Sequence, residues 1–326
     1  MKVELINPLP AALSHYQDQI VSTLRLAGHD VSISTLAIDI EIGGASLFAK
    51  VRTATHTLIR GLHYRSQADR VLVLWPVFGF FDGLIFRNAV SGGATSVIMH
   101  DPVALRPTFG YSAVSKFFAR CACRLGASAE WIVHGELAAT ALRKEGIPVS
   151  HVLPHPILSG LGGSVERDNA RWVTVLGQFK TSRDLEMLAR LGSHGANQFR
   201  LRIIGRGWPP VRGWQLTDRF ISEAEFDAAT SQSVAVVIPY SNFFQSGVAV
   251  RCLETLTPVL GPDHEFLRQL FGNDYVGLLS SGVDPCLQLE ALTRQSVSRL
   301  AELREKYTNN VIESWRVAWD VRSAAT

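Results

Sequence analysis

The chain has 326 residues, 47% of them hydrophobic, and a formal charge of +3 at neutral pH. That length suits two domains of ordinary size with a core each, which excludes a disordered or fibrous chain. No apolar run is long enough to span a bilayer, and so small a charge argues against an enzyme that works along nucleic acid.

The first strand is predicted at Lys2–Ile6, followed by the turn-rich Asn7-Pro-Leu-Pro10, a helical stretch ending at Gly28-His-Asp30, and a second strand at Val31–Ile33. A leader peptide is not expected, since these first residues read as a strand. Further buried strands are predicted at Arg70–Leu74, Ser96–Met99 and Trp131–Val133, which run into Pro76, His100-Asp101 and His134-Gly135. Strand, loop and helix in repetition give a Rossmann-like domain over residues 1–165, with the boundary at the glycine-rich stretch from Ser159 to Ser164. His155, in Leu153-Pro-His-Pro-Ile157, is expected to order that linker.

Two windows of this half, Ile42 to Ala68 and Pro102 to Ala129, contain no Asp or Glu. The first carries Lys50, Arg52, Arg60 and Arg65, and the second Arg106, Lys116, Arg120 and Arg124. Residues 1–165 hold 14 basic and 11 acidic residues, so the whole excess of +3 lies there. Phe109, Tyr111, Phe117 and Phe118 beside Lys116 and Arg120 suit an anionic lipid interface, a polyanionic glycan or a protein acceptor; the bland alternative is a core helix with a solvated basic face.

The second half repeats the pattern with a different chemistry at its loops. Trp172–Leu176 stops at Gly177-Gln-Phe-Lys180-Thr-Ser-Arg183, before a helix marked by Leu185, Leu188 and Leu191. Phe199–Ile204 runs into Gly205-Arg206-Gly207, and Val234–Ile238 into Pro239-Tyr240. Ser246-Gly247 then opens a helix that Thr257-Pro258 ends, and Val259-Leu260 resumes as a strand. In a parallel, doubly wound sheet ligands lie beyond the carboxyl ends of the strands, so Lys180, Arg183, Arg206 and the start of the Ser246-Gly247 helix share one rim. Cations and the free N–H groups of a helix start suit a diphosphate.

These segments, over most of residues 172–270, resemble the donor-binding domain of retaining family-4 glycosyltransferases, enzymes of the GT-B fold. Gly177, Lys180 and Arg183 match the family's first phosphate loop, with Lys and Arg exchanged relative to the commoner pattern. Gly205-Arg206 matches the second loop, Tyr240 the residue closing the strand before the donor loop, and Pro258-Val259-Leu260 with Asp263 the strand after the donor helix. The resemblance implies an α/β, GT-B architecture: two Rossmann-like doubly wound domains facing a central cleft, with domains at 1–165 and 166–309 and a last helix, 310–326, crossing back to the first domain. Leu300, Leu303, Tyr307, Val311, Trp315 and Trp319 recur at helical spacing there, and the two tryptophans are structural whether that helix crosses or lies on the surface.

The implied activity is transfer of a sugar from a nucleotide-diphosphate sugar, UDP- or GDP-linked, to the hydroxyl of a glycan, lipid-linked or protein acceptor. His100 and Asp101 would approach the donor sugar from the first domain, while Lys180 and Arg183 would stabilise the departing diphosphate. Donor contacts are implied at Gly177, Gln178, Arg206, Tyr240, Gln245, Ser246, Gly247, Val248, Arg251 and Glu254. From spacing alone, a lone histidine at a strand end such as His100 is more often a structural hydrogen-bonding residue; the resemblance is what brings its functional role level with that reading. The family's two donor-loop glutamates are replaced by Phe243 and Arg251. Glu254 lies three residues after Arg251, where it reaches a ribose or pairs with Arg251 on an exposed helix face.

No Asp-x-Asp triplet occurs, so neither a metal nor a separate cofactor is expected. Cys121, Cys123, Cys252 and Cys286 form no CxxC pair, which suits reduced thiols in a cytoplasmic protein, peripheral to the inner face of a membrane if the basic windows meet lipid. A catalytically inactive GT-B subunit that binds a partner transferase or a glycan is the rival reading. A nucleotide-sugar epimerase lacks acids in the donor loops, and a dehydrogenase lacks GxGxxG after its first strand.

Overall fold

A computed structural model describes residues 1–10, 12–34, 47–103, 109–159, 172–194, 198–280, 282–295 and 297–320. Most of the Ser159–Ser164 stretch, the boundary at 165, residues 42–46 and Arg106 lie outside them. The chain divides into two compact units, Met1–Pro156 with Val311 onward, and Ile157–Asn310.

The first unit contains β1 (Lys2–Ile6), β2 (Asp30–Ile33), β3 (Arg70–Val73), β4 (Ala94–Ile98), β5 (Glu130–Val133) and β6 (His151–Val152). They form one sheet in the order β2-β1-β3-β4-β5-β6, parallel at every pairing. The central strands are buried on both faces, which is why they read as unbroken apolar runs: Val71, Leu72, Val73, Val97, Ile98, Ile132 and Val133 are fully enclosed. The chain moves from β1 outward to β2 and returns to the other side of β1 as β3, so the winding reverses between β1 and β3.

The second unit contains β7 (Trp172–Leu176), β8 (Arg200–Ile204), β9 (Gln215–Thr217), β10 (Ser233–Val237), β11 (Val259–Pro262) and β12 (Leu278–Leu279). Their order is β12-β11-β10-β7-β8-β9, again all parallel. Here the winding reverses between β7 and β10, the kind of position at which doubly wound sheets bind their ligands. The architecture is α/β, with two doubly wound sheets. The strands not anticipated from sequence, β6, β9 and β12, are two or three residues long and sit at or near sheet edges, too short to show a period.

The 24-residue helix Val297–Asp320 belongs to the second unit up to Asn310 and to the first from Val311. Within the first unit Trp315 is fully buried and donates from Nε1 to the Pro154 carbonyl at 3.1 Å, while the Arg70 guanidinium lies 5.0 Å from the Trp319 ring. Both tryptophans are therefore core residues.

Helix Ala113–Arg124 differs from a core helix with a solvated basic face. Its inward positions are the small Ser115, Ala119 and Ala122, while Val114, Phe117 and Phe118 are exposed. Among the described residues no helix is long and apolar enough to cross a membrane.

Candidate functional site

Two glycines bring the first loops of the second unit together. Gly177, at the end of β7, has φ +99°, and a Cβ on Gly205, at the end of β8, would stand 2.0 Å from the Gly177 oxygen. Only a residue without a side chain allows that approach. The two loops are held by Phe179 N donating to Arg206 O at 3.0 Å and Trp208 Nε1 donating to Gly177 O at 2.7 Å.

Across the reversal point, the loops after β7 and β10 are also bonded. Asp184 N donates to Pro239 O at 2.8 Å, and Ser241 N to Ser182 O at 2.9 Å. The Arg183 guanidinium lies 3.5 Å from the centre of the Tyr240 ring and donates to Gln178 O at 3.1 Å. Its Nε is buried without a partner. Burial draws the Arg183 pKa down and Tyr240 opposes the shift, so the guanidinium remains a charge held over a π face. Burial likewise pushes the Tyr240 phenol up, against the pull of Arg183 and of the hydrogen-bonded Ser246.

Ser246 caps the helix Gly247–Glu254, accepting from Ala249 N at 3.3 Å, and the space around Gly247 is open to at least 4 Å where a Cβ would project. The first turn of that helix has no acidic residue. Lys180 and Arg206 are exposed, while Gln245 and Val248 are half-buried beside the cap. Lys180, Arg183 and Arg206 thus lie on loops joined by backbone hydrogen bonds, and Tyr240 links Arg183 to the helix start through Ser246. Such a rim can hold an anion through two or three cations and free backbone N–H groups.

Arg251 and Glu254 are placed elsewhere. The exposed pair considered from sequence is not formed, because both residues are buried. Arg251 is bonded to the carboxylates of Glu223 and Asp227 and lies over Phe226 at 4.7 Å. Those acids stand four apart on helix Glu223–Ser231, a spacing that presents both to one partner and was the available signal. Glu254 is fully enclosed and accepts from Leu158 N at 2.8 Å.

Phe243 continues the aromatic series that starts at Arg183. Its ring is 5.5 Å from Tyr240, edge-on, and stacks on His264 at 3.8 Å. His264 was missed from sequence; it caps helix Glu265–Phe271 through Nδ1, which accepts from Phe266 N at 3.1 Å, and burial holds its pKa below the usual range.

A cavity of about 560 Å³ lies at the ends of β10, β11 and β12 and shares Asp184 and Tyr240 with the rim. Asp184, Asp284 and Arg190 border it, and Lys180, Arg206, Ser246 and Gly247 do not.

In the first unit, the residues after β4, β5 and β6 form a buried cluster around Tyr16. His100 donates from Nε2 to Leu74 O at 2.8 Å, stacks on Trp75 at 4.5 Å and meets Tyr16 edge-on at 4.8 Å. Tyr16 Oη is 2.6 Å from His134 Nε2, and His134 Nδ1 is 3.0 Å from Leu153 O. The carbonyl requires a proton on Nδ1, so Nε2 accepts from the tyrosine. His155 donates from Nδ1 to Pro156 O at 2.8 Å and lies 4.9 Å from His134. Burial, then His155 and His100, hold the His134 pKa well below the usual range, so the ring is neutral. Asp101 is half-buried beside this cluster. Successive strand ends bring together histidines that sequence distance keeps apart.

No protein-family model matches the chain, and no curated protein does so significantly. Solved structures do. TarM of S. aureus, in complex with fondaparinux, alpha-GlcNAc-glycerol and UDP, is 13% identical with a TM-score of 0.54 over 77% of this chain and 55% of that one, so the chain spans about half of TarM. Sucrose-phosphate synthase from Thermosynechococcus elongatus is 14% identical with a TM-score of 0.62 over 98% and 96% of the two chains. BGT of T4 phage, in complex with its UDP-glucose substrate, is 13% identical with a TM-score of 0.54 over 98% and 100%. At these identities the likeness establishes the fold, and that fold is GT-B.

Proposed function

We propose that the chain is a glycosyltransferase that moves a sugar from a UDP- or GDP-linked donor to an acceptor hydroxyl on a glycan, a lipid-linked saccharide or a protein. The observation that carries this reading is the cationic, glycine-lined rim at the β7/β10 reversal, where Arg183 is fixed over Tyr240 and the Gly247 helix opens alongside. The diphosphate lies across that rim, with Lys180, Arg183 and Arg206 and the helix start neutralising charge that grows on the departing nucleotide. These cations take the part a metal ion plays elsewhere, so transfer is metal-independent and needs no cofactor. The family-4 resemblance makes retention of anomeric configuration the expected outcome and carries over a catalytic role for His100 and Asp101. The reaction belongs in the cytoplasm, which suits four free cysteines, with the protein peripheral to the inner face of a membrane.

A second reading, a catalytically inactive GT-B subunit, is favoured by one feature. At the two family glutamate positions, Phe243 is stacked on His264 and Arg251 is bound to Glu223 and Asp227. Hydrolysis and binding of UDP-, GDP-, ADP- and dTDP-sugars, with and without EDTA, separate the readings. EDTA-insensitive turnover of one donor, lost when Lys180 and Arg183 are both changed to Ala, establishes a transferase. Binding without turnover in the presence of an acceptor library supports the inactive subunit, and absence of all binding sinks the phosphate-site reading.

A further inference from the structure

From the surface of helix Ala113–Arg124 we infer that the first unit docks on an anionic lipid bilayer through one apolar stripe. Val114, Phe117, Phe118, Cys121 and Leu125 fall at i, i+3, i+4, i+7 and i+11, the spacing of a helix face that is normally buried. Here the stripe points outward: Val114 is 60% exposed, Phe117 55%, Phe118 50% and Leu125 80%. Two adjacent, half-exposed phenylalanines on one turn are costly in water and need a cover. Phe81 extends the patch, its ring 6.5 Å from Phe118.

Charge identifies the cover. Lys116, Arg120 and Arg124 flank the stripe at spacing of four, and no acid occurs from Pro102 to Ala129. Lys116 is neutralised by Glu145 at 2.6 Å, whereas among the described residues neither Arg120 nor Arg124 has an acidic partner. A second copy placed on the same stripe by a two-fold axis would bring these arginines together without a counter-charge. Anionic headgroups supply that counter-charge along the whole flank, and the phenylalanines and Leu125 reach the acyl boundary below. Helix Leu47–His63, packed on the same short helix Asp82–Ile85, also exposes Leu58, Ile59 and Leu62 beside Arg60 and His63. The docking surface does not depend on the transfer reaction.

Sedimentation with vesicles tests it. The full chain is mixed with phosphatidylglycerol/phosphatidylcholine vesicles and with pure phosphatidylcholine vesicles, in low and high salt. Partition into the anionic vesicles, weakened by salt, is expected. Phe117→Ser with Phe118→Ser should lower the partition coefficient on the order of a hundredfold, and Arg124→Gln about fivefold. Val114→Ser is an independent second variant, and unchanged thermal unfolding shows that each variant is folded. No binding to anionic vesicles at low salt, or equal binding by the double phenylalanine variant, overturns the inference. A concentration-dependent dimer that the same variant abolishes, without vesicle binding, assigns the stripe to a second copy and also overturns it.

Discussion

The two sheets have the same strand number and the same kind of reversal, yet their carboxyl rims carry opposite chemistry. After β4, β5 and β6 the chain places His100, His134 and His155 in a buried cluster where each ring is tied to a carbonyl. After β7 and β8 it places Lys180, Arg183 and Arg206 on loops stripped of side chains at Gly177 and Gly205. The first rim suppresses charge: burial lowers the His134 pKa and raises that of Asp82, in the segment after β3, to about 8 despite the backbone N–H groups it accepts from. The second preserves charge by exposure and by stacking Arg183 on Tyr240. One scaffold thus hosts a neutral hydrogen-bonding end and a cationic end, because burial decides which groups stay ionised.

Removing the cations should abolish the contrast most completely. Lys180→Ala with Arg183→Ala is expected to weaken nucleotide-sugar binding by about two to four orders of magnitude, since each charged contact is worth roughly 1.5–3 kcal/mol. Calorimetry with UDP and GDP checks this. Gly205→Ala forces a Cβ against the Gly177 carbonyl and should cost about 3 kcal/mol, read as a lower Tm together with lost nucleotide binding.

Arg251→Met sharpens the comparison within the cationic unit. It should cost about 1–3 kcal/mol by leaving Glu223 and Asp227 without their partner, while nucleotide affinity changes less than about threefold. A tenfold loss of affinity in a folded variant would return Arg251 to the donor site.

The neutral rim should respond to pH in two directions. His134 has a lowered native pKa, so the unfolded chain binds its proton first, and stability falls as pH drops from about 6.5. Asp82 has a raised native pKa, so its contribution is full below about 4 and is lost as pH rises toward about 8. Chemical denaturation from pH 4 to 8 checks both, with Asp82→Asn flattening the upper arm and His134→Gln the lower. The smallest effect is expected for Ser246→Ala, about 1 kcal/mol from the lost helix cap.

Much of the fold was legible from sequence because the central strands are enclosed on both faces. Val71–Val73 and Ala235–Val237 can only be apolar, and glycines or prolines punctuate the loops that follow. β9 could not be read, because it is a three-residue strand with every residue exposed. At the rim, Gly177, Lys180 and Arg183 were visible because one loop between strand and helix keeps them close in sequence, and Ser246 because it stands directly before the helix it caps. The Arg251–Glu223–Asp227 group was not, since it joins two helices across more than twenty residues. The same holds for the Tyr16–His134 contact, with 118 residues between its ends.

Local order alone therefore determined the alternation of strand and helix, the two doubly wound halves and the cationic, glycine-rich loops, because each is written in a few consecutive residues. Only the tertiary structure decided which charges are committed to internal partners, which histidines share one enclosure, and that the apolar stripe of helix Ala113–Arg124 faces outward. Periodicity specifies that a helix has an apolar face, whereas the packing of small Ser115, Ala119 and Ala122 against the core decides which face is buried.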